Sequence, residues 1–81
     1  MEMTNSRYIG ELFKKEIKRQ RYRYDEIAEV LGVAGKQNVY FRLNRMFDTS
    51  WTFLEVANLC DMLHIDIKEL ADSVRRRRES D

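Results

Sequence analysis

Apolar residues recur along this chain at helical spacing, and no stretch alternates in the way a half-buried strand requires. Ile9, Leu12, Phe13 and Ile17 fall at i, i+3, i+4 and i+8, which predicts an amphipathic helix over residues 6–20 with one buried stripe. Lys14, Lys15, Lys18 and Arg19 fall largely on its other sides. Residues 24–31 predict a second, shorter helix that turns Ile27, Ala28 and Leu31 inward, with Asp25 and Glu26 at the positive end of its dipole. Leu31-Gly32-Val33 closes it: Gly32 can adopt the left-handed conformation that stops a helix, and Val33 can pack back beneath the turn.

Residues 36–45 predict a third helix, with Val39 and Leu43 as its inward pair. At about 100° per residue, the opposite side carries Gln37, Asn38, Phe41, Asn44 and Arg45. Thr52-Phe-Leu-Glu55 fits a capping box that starts a fourth helix, whose stripe is Phe53, Val56, Leu59, Cys60 and Leu63. Trp51, just before it, reads as a core plug, with a DNA-facing ring as the minority option. His64 falls in the next link, as a half-exposed loop histidine. Asp66-Ile-Lys-Glu69 repeats the capping logic for a fifth helix with Ile67, Leu70 and Ala71 apolar. Arg75 to Asp81 reads as a frayed basic tail, so the organisation expected is one domain over residues 1–74 and a flexible tail over 75–81. The fold class expected is all-α, a five-helix domain.

Composition sharpens this picture only in places. With 81 residues, the chain has room for one small core. Cys60 is the only cysteine and His64 the only histidine, so there is no intrachain disulfide and no zinc-ligand set. Cys60, on an apolar stripe, reads as a buried structural thiol. Paired carboxylates, a nucleophile with its base and a phosphate-cradling glycine loop are all missing, which argues against an enzyme; no cofactor is implied. No apolar run reaches membrane-spanning length, and Met-Glu-Met-Thr-Asn-Ser is no signal peptide, so a cytoplasmic protein is expected.

The formal net charge is only +1, weak for a nucleic-acid binder, but its distribution says more. Lys14 to Arg23 is basic with Glu16 its only acid, and Val30 to Phe47 holds no acid at all. Acids gather in Asp25 to Glu29 and Glu55 to Asp72.

Tyr24 to Arg45 is thus a short helix, a glycine-containing turn and a second helix with amides and bases outward, the helix-turn-helix pattern that sets its second helix in the DNA major groove. Amides can pair with adenine edges, arginine with guanine or phosphate, and an apolar ring with a thymine methyl. Gln37, Asn38 and Phe41 are the candidate base readers, with Lys36, Tyr40, Arg45 and Tyr24 on bases or phosphates. Arg42 completes the candidate set, its charge drawing it toward a phosphate.

Ile27-Ala28, Leu31-Gly32-Val33, Asn38-Val39-Tyr40 and the run Trp51 to Leu70 together resemble the Cro/CI-type (XRE) helix-turn-helix family over roughly residues 7–72. The resemblance implies a lambda-repressor-like domain and a sequence-specific transcriptional regulator, a repressor of bacterial, phage or mobile-element origin. Three departures stand out: Ala34-Gly35 lengthens the turn by a residue, Tyr24 stands where the family often has a phosphate-touching glutamine, and Arg23 replaces a Ser or Thr cap. Tyr24 to Val33 followed by Val39 to Arg45 is also similar to region 4 of bacterial sigma factors, but this chain continues with two more apolar helices. One reading helix covers few base pairs, so a homodimer on a palindromic duplex operator is expected; helix 5 and nearby apolar residues would have to serve, and the sequence does not identify the surface. The rival expectation is a protein-binding module on the same frame, favoured by the near-neutral charge and an exposed Phe41.

Overall fold

Five helices account for the fold in a computed structural model that describes residues 4–44 and 50–79: α1 (Asn5–Arg19), α2 (Tyr24–Leu31), α3 (Gly35–Asn44), α4 (Phe53–Leu63) and α5 (Ile67–Glu79). No strand occurs among the described residues, and the protein is all-α. No helix among them is long and apolar enough to cross a membrane.

Local chemistry explains most boundaries. The Thr4 hydroxyl accepts the Arg7 amide and starts α1. Thr52 and Glu55 form the reciprocal box at α4: the Glu55 amide donates to the Thr52 hydroxyl at 3.2 Å, and the Thr52 amide donates to the Glu55 carboxylate at 2.9 Å. At α2 only half of such a box can exist, because an arginine side chain accepts no hydrogen bond; Glu26 takes the Arg23 amide at 3.1 Å. The C-terminal ends of α1, α2 and α4 share one device. Gly32, at φ 69°, lets the Val33 amide reach back to the Ala28 carbonyl. Arg21 and His64 adopt the same left-handed conformation without being glycine, and the amides of Tyr22 and Ile65 close back on Ile17 and Cys60. His64 is therefore an exposed helix cap.

The core draws on every helix: Phe13 and Ile17, Ile27 and Ala28, Val39 and Leu43, Leu59, Cys60 and Leu63, and Leu70. Fully burying a side chain of the size of Phe13, Ile27, Leu43 or Leu59 stabilises the fold by roughly 1.5–3 kcal/mol each. Helix α1 packs on α3, α4 and α5, while α4 packs on α2, α1 and α5. Trp51 plugs the core as expected: its ring meets Phe13 edge-on at 5.3 Å, and its indole N–H donates to the Ser6 carbonyl at 2.9 Å.

Four expectations need correcting. Phe53 and Ile67 belong to the apolar stripes of α4 and α5 by spacing, yet Phe53 is 75 % exposed and Ile67 is exposed too. Each is the first residue of its helix and overhangs the core's edge. Ala71 is exposed as well. The fourth concerns the arginine run, which does not fray at Arg75. Helix α5 continues to Glu79, because Arg77 is docked on α1: its guanidinium lies 5.1 Å above the Tyr8 ring and donates to Asn5 at 2.8 Å. About one turn earlier, the Tyr8 and Ser73 hydroxyls are hydrogen-bonded at 2.6 Å.

Burial pushes the Cys60 thiol above its ordinary pKa, with the Asp66 carboxylate adding to the effect. A thiolate reagent is therefore expected to modify Cys60 about a hundredfold more slowly in the native protein than in guanidinium at the same pH. Ellman's assay on both states measures this, and an immediate full reaction of the folded protein would show that the thiol is not packed.

Candidate nucleic-acid interface

The α2–α3 pair is joined by Gly32, Val33 and Ala34 alone. Gly35 opens α3 at φ 82°, a conformation that favours glycine, so the link between α2 and α3 holds a second left-handed step after Gly32. Val33 packs against the core and Val39 and Leu43 are fully buried, which fixes the face α3 turns inward.

Outward, α3 exposes Lys36, Gln37, Asn38 and Tyr40. No acid occurs on this helix. Lys36 lies 3.9 Å from Asp25, so the first turns of α2 and α3 sit on one side of the molecule, with Tyr24 half-buried beside them. The Asn38 amide nitrogen donates to the Ala34 carbonyl, four residues back, and its side chain is held against the helix start.

The other half of the predicted face is turned elsewhere. Phe41 is half-buried and meets Tyr40 edge-on at 6.1 Å, so the exposed ring of α3 is Tyr40, which is 50 % accessible. Asn44 is half-buried between helices: its oxygen takes the Lys14 ammonium at 2.7 Å, and its nitrogen donates to the Tyr40 carbonyl at 2.8 Å. Arg42 points at α4, where its guanidinium is ion-paired with Glu55, and its Nε is buried without a hydrogen-bond partner. Arg45 lies outside the described residues. The structure thus leaves Lys36, Gln37, Asn38 and Tyr40 exposed on α3, sets Lys36 beside the first turn of α2, and turns Arg42 toward α4.

Three contacts anchor the C-terminal half of α3. The Arg42–Glu55 pair ties it to α4; Lys14, also 2.7 Å from Glu11, ties it to α1; and Gly10 lets α1 approach the Leu43 backbone closely. Lys14 and Glu55 went unnoticed in this role. Glu55 was legible only as a cap, and Lys14 lies beside the buried stripe of α1 with nothing in the sequence to distinguish it from Lys15.

Elsewhere two surface arginines are locally paired: Arg19 with Glu16 at 2.7 Å and Arg23, which precedes α2, with Glu26 at 3.9 Å. The Arg19 guanidinium, followed by the Gln20 amide, holds the Glu16 carboxyl below its usual range. Such exposed pairs are screened by water and exchange readily for an outside anion. No cluster of three or more potential metal ligands occurs among the described residues.

No protein-family model, no curated protein and no solved structure matches this chain.

Proposed function

We propose that the protein binds duplex DNA sequence-specifically as a transcriptional regulator, with α3 in the major groove. The observation that carries this reading is the exposed, acid-free start of α3: Lys36, Gln37, Asn38 and Tyr40 are all exposed there, Lys36 lies beside the first turn of α2, and the other half of the helix is anchored to α1 and α4. A reading helix needs hydrogen-bonding side chains outside and a rigid seat behind, and α3 has both. Gln37 is the chief base reader in this account. Asn38 can donate to a base only by giving up its bond to Ala34, and Lys36 and Tyr24 serve the phosphates. Arg42 acts from behind, as a residue that positions α3. The reading extends to a lambda-repressor-like domain of the Cro/CI type, and repression follows if the operator overlaps a promoter.

Selection of random duplexes on the purified protein tests the reading. A recovered site should lose about tenfold to a hundredfold in affinity with Gln37→Ala, less with Asn38→Ala, while binding to unrelated DNA stays unchanged. With few unpaired cations near α3, the salt dependence should correspond to only about two or three phosphates per subunit. If no site emerges and no duplex binds at low salt, the reading fails. The exposed Tyr40 on a nearly neutral face then favours a second reading, a module that binds a protein partner.

A further inference from the structure

We infer that the groove between α2 and α4 docks a basic amphipathic helix of a partner protein. The groove has a volume of about 370 Å³, walled by Glu29, Val30 and Leu31 at the end of α2 and by Leu54 and Asn58 at the start of α4. It reaches down to the Arg42–Glu55 pair. Leu54 is 71 % exposed and Val30 half-buried, so an incoming apolar side chain would cover surface that the described residues leave open.

Charge decides the kind of partner. Across α1, α2 and α4, every carboxylate but two is ion-paired. One of the two is Glu29, on the groove wall. The other is Asp61; Leu54, Asn58 and Asp61 fall at i, i+4 and i+7 and share the outer stripe of α4. Both carboxylates are exposed. Helices α2 and α4 run antiparallel here: the Tyr22 hydroxyl, just before α2, donates to the Met62 carbonyl at the end of α4, while Leu31 and Leu54 share the groove at the other end. Acids therefore flank the apolar walls on both helices. Arg42, the cation that lines the groove, is already neutralised by Glu55.

Two unanswered negative charges beside an open leucine attract lysine or arginine. They repel a phosphate backbone, an anionic bilayer and a second copy of the same surface. The furrow between two packed helices is a seat that an amphipathic helix fills with apolar side chains at i and i+4. It admits only one or two such anchors, which makes the contact a weak and reversible one.

An alanine-based helical peptide of about 18 residues, with leucines at i and i+4 between lysines, tests this by calorimetry and amide-shift mapping. It should bind with a Kd on the order of 10–100 μM at low salt, and several-fold more weakly at about 0.3 M salt. The amides of Glu29, Leu54 and Asn58 should move. A Glu29→Lys/Asp61→Lys variant should weaken binding at least tenfold, and Leu54→Ser about as much, each with its helical circular dichroism retained. The same peptide with glutamates in place of lysines should not bind the wild type. The proposal is overturned if the lysine–leucine peptide does not bind, if a lysine peptide without leucines binds equally well, if the substitutions make no difference, or if the shifts centre on Tyr40. No DNA is present in these measurements, so either result leaves the reading of α3 standing.

Discussion

Replacing Gly10 with alanine is expected to cost about 3 kcal/mol of stability, the upper end for overpacking a core. A Cβ at Gly10 would collide with the carbonyl oxygen of Leu43 and stand 3.2 Å from its carbon. The obstacle is backbone at the end of α3, not the tip of a side chain that could swing away, so relief requires α1 and α3 to part. Parting them would also disturb Trp51, whose ring lies 3.7 Å from the same point, and the Lys14–Asn44 bond. For a domain of this size the loss corresponds to a fall in melting temperature of roughly 12–24 °C. Circular dichroism at 222 nm follows it globally and Trp51 fluorescence locally. A Gly10→Ala protein within about 0.5 kcal/mol of wild type would show that the two helices do not approach this closely. Loss of affinity for a selected DNA site should accompany the change even at temperatures where the variant is fully folded, since α3 would be reseated.

Glu55→Ala carries the second large effect. The Glu55 side chain is 8 % exposed, accepts the Thr52 amide at the start of α4 and neutralises Arg42. Removing it deletes a cap worth about 1 kcal/mol and leaves a guanidinium without its counter-charge. Breaking a fully enclosed pair costs about 3–5 kcal/mol, but the Arg42 side chain is 29 % exposed and keeps part of its hydration. The expected total is therefore about 2–3 kcal/mol, measurable by urea denaturation. Glu55→Gln should retain most of the cap and lose the ion pair, landing between wild type and alanine. A double-mutant cycle with Arg42→Ala should return a coupling of about 1 kcal/mol or more, and strictly additive losses would mean that the pair does not lock α3 to α4.

These two sites show where sequence reasoning stopped. Gly10 sits amid a regular apolar stripe, and nothing local marks it; its burial exists only because another helix's backbone arrives there. Glu55 was readable as a cap, because a cap partner lies three residues away, but not as the partner of Arg42 on another helix. On α3 a helical wheel drawn from Val39 and Leu43 assumes one inward side. The helix in fact lies against α1 and α2 and is tied to α4 by Arg42, so a wide arc is covered and Phe41, Arg42 and Asn44 are drawn in. Phe53 failed in the opposite sense: its spacing is right for the stripe, but the first turn of α4 extends past the core.

What the sequence determined by itself is local: the helices from their 3.6-residue periodicity, their starts at Thr52 and Asp66 from side chains that reach amides two or three residues on, and the stop at Gly32 from glycine's freedom to take positive φ. It also determined that α3 has an acid-free outer side. Tertiary structure alone decided which of those outer residues remain available, that Arg77 extends α5 by docking on Tyr8, and that Phe53 and Leu54 are left uncovered. The physical reason is range. Periodicity, capping and turn chemistry act within a few residues of chain, whereas burial and ion pairing depend on which distant helix arrives alongside.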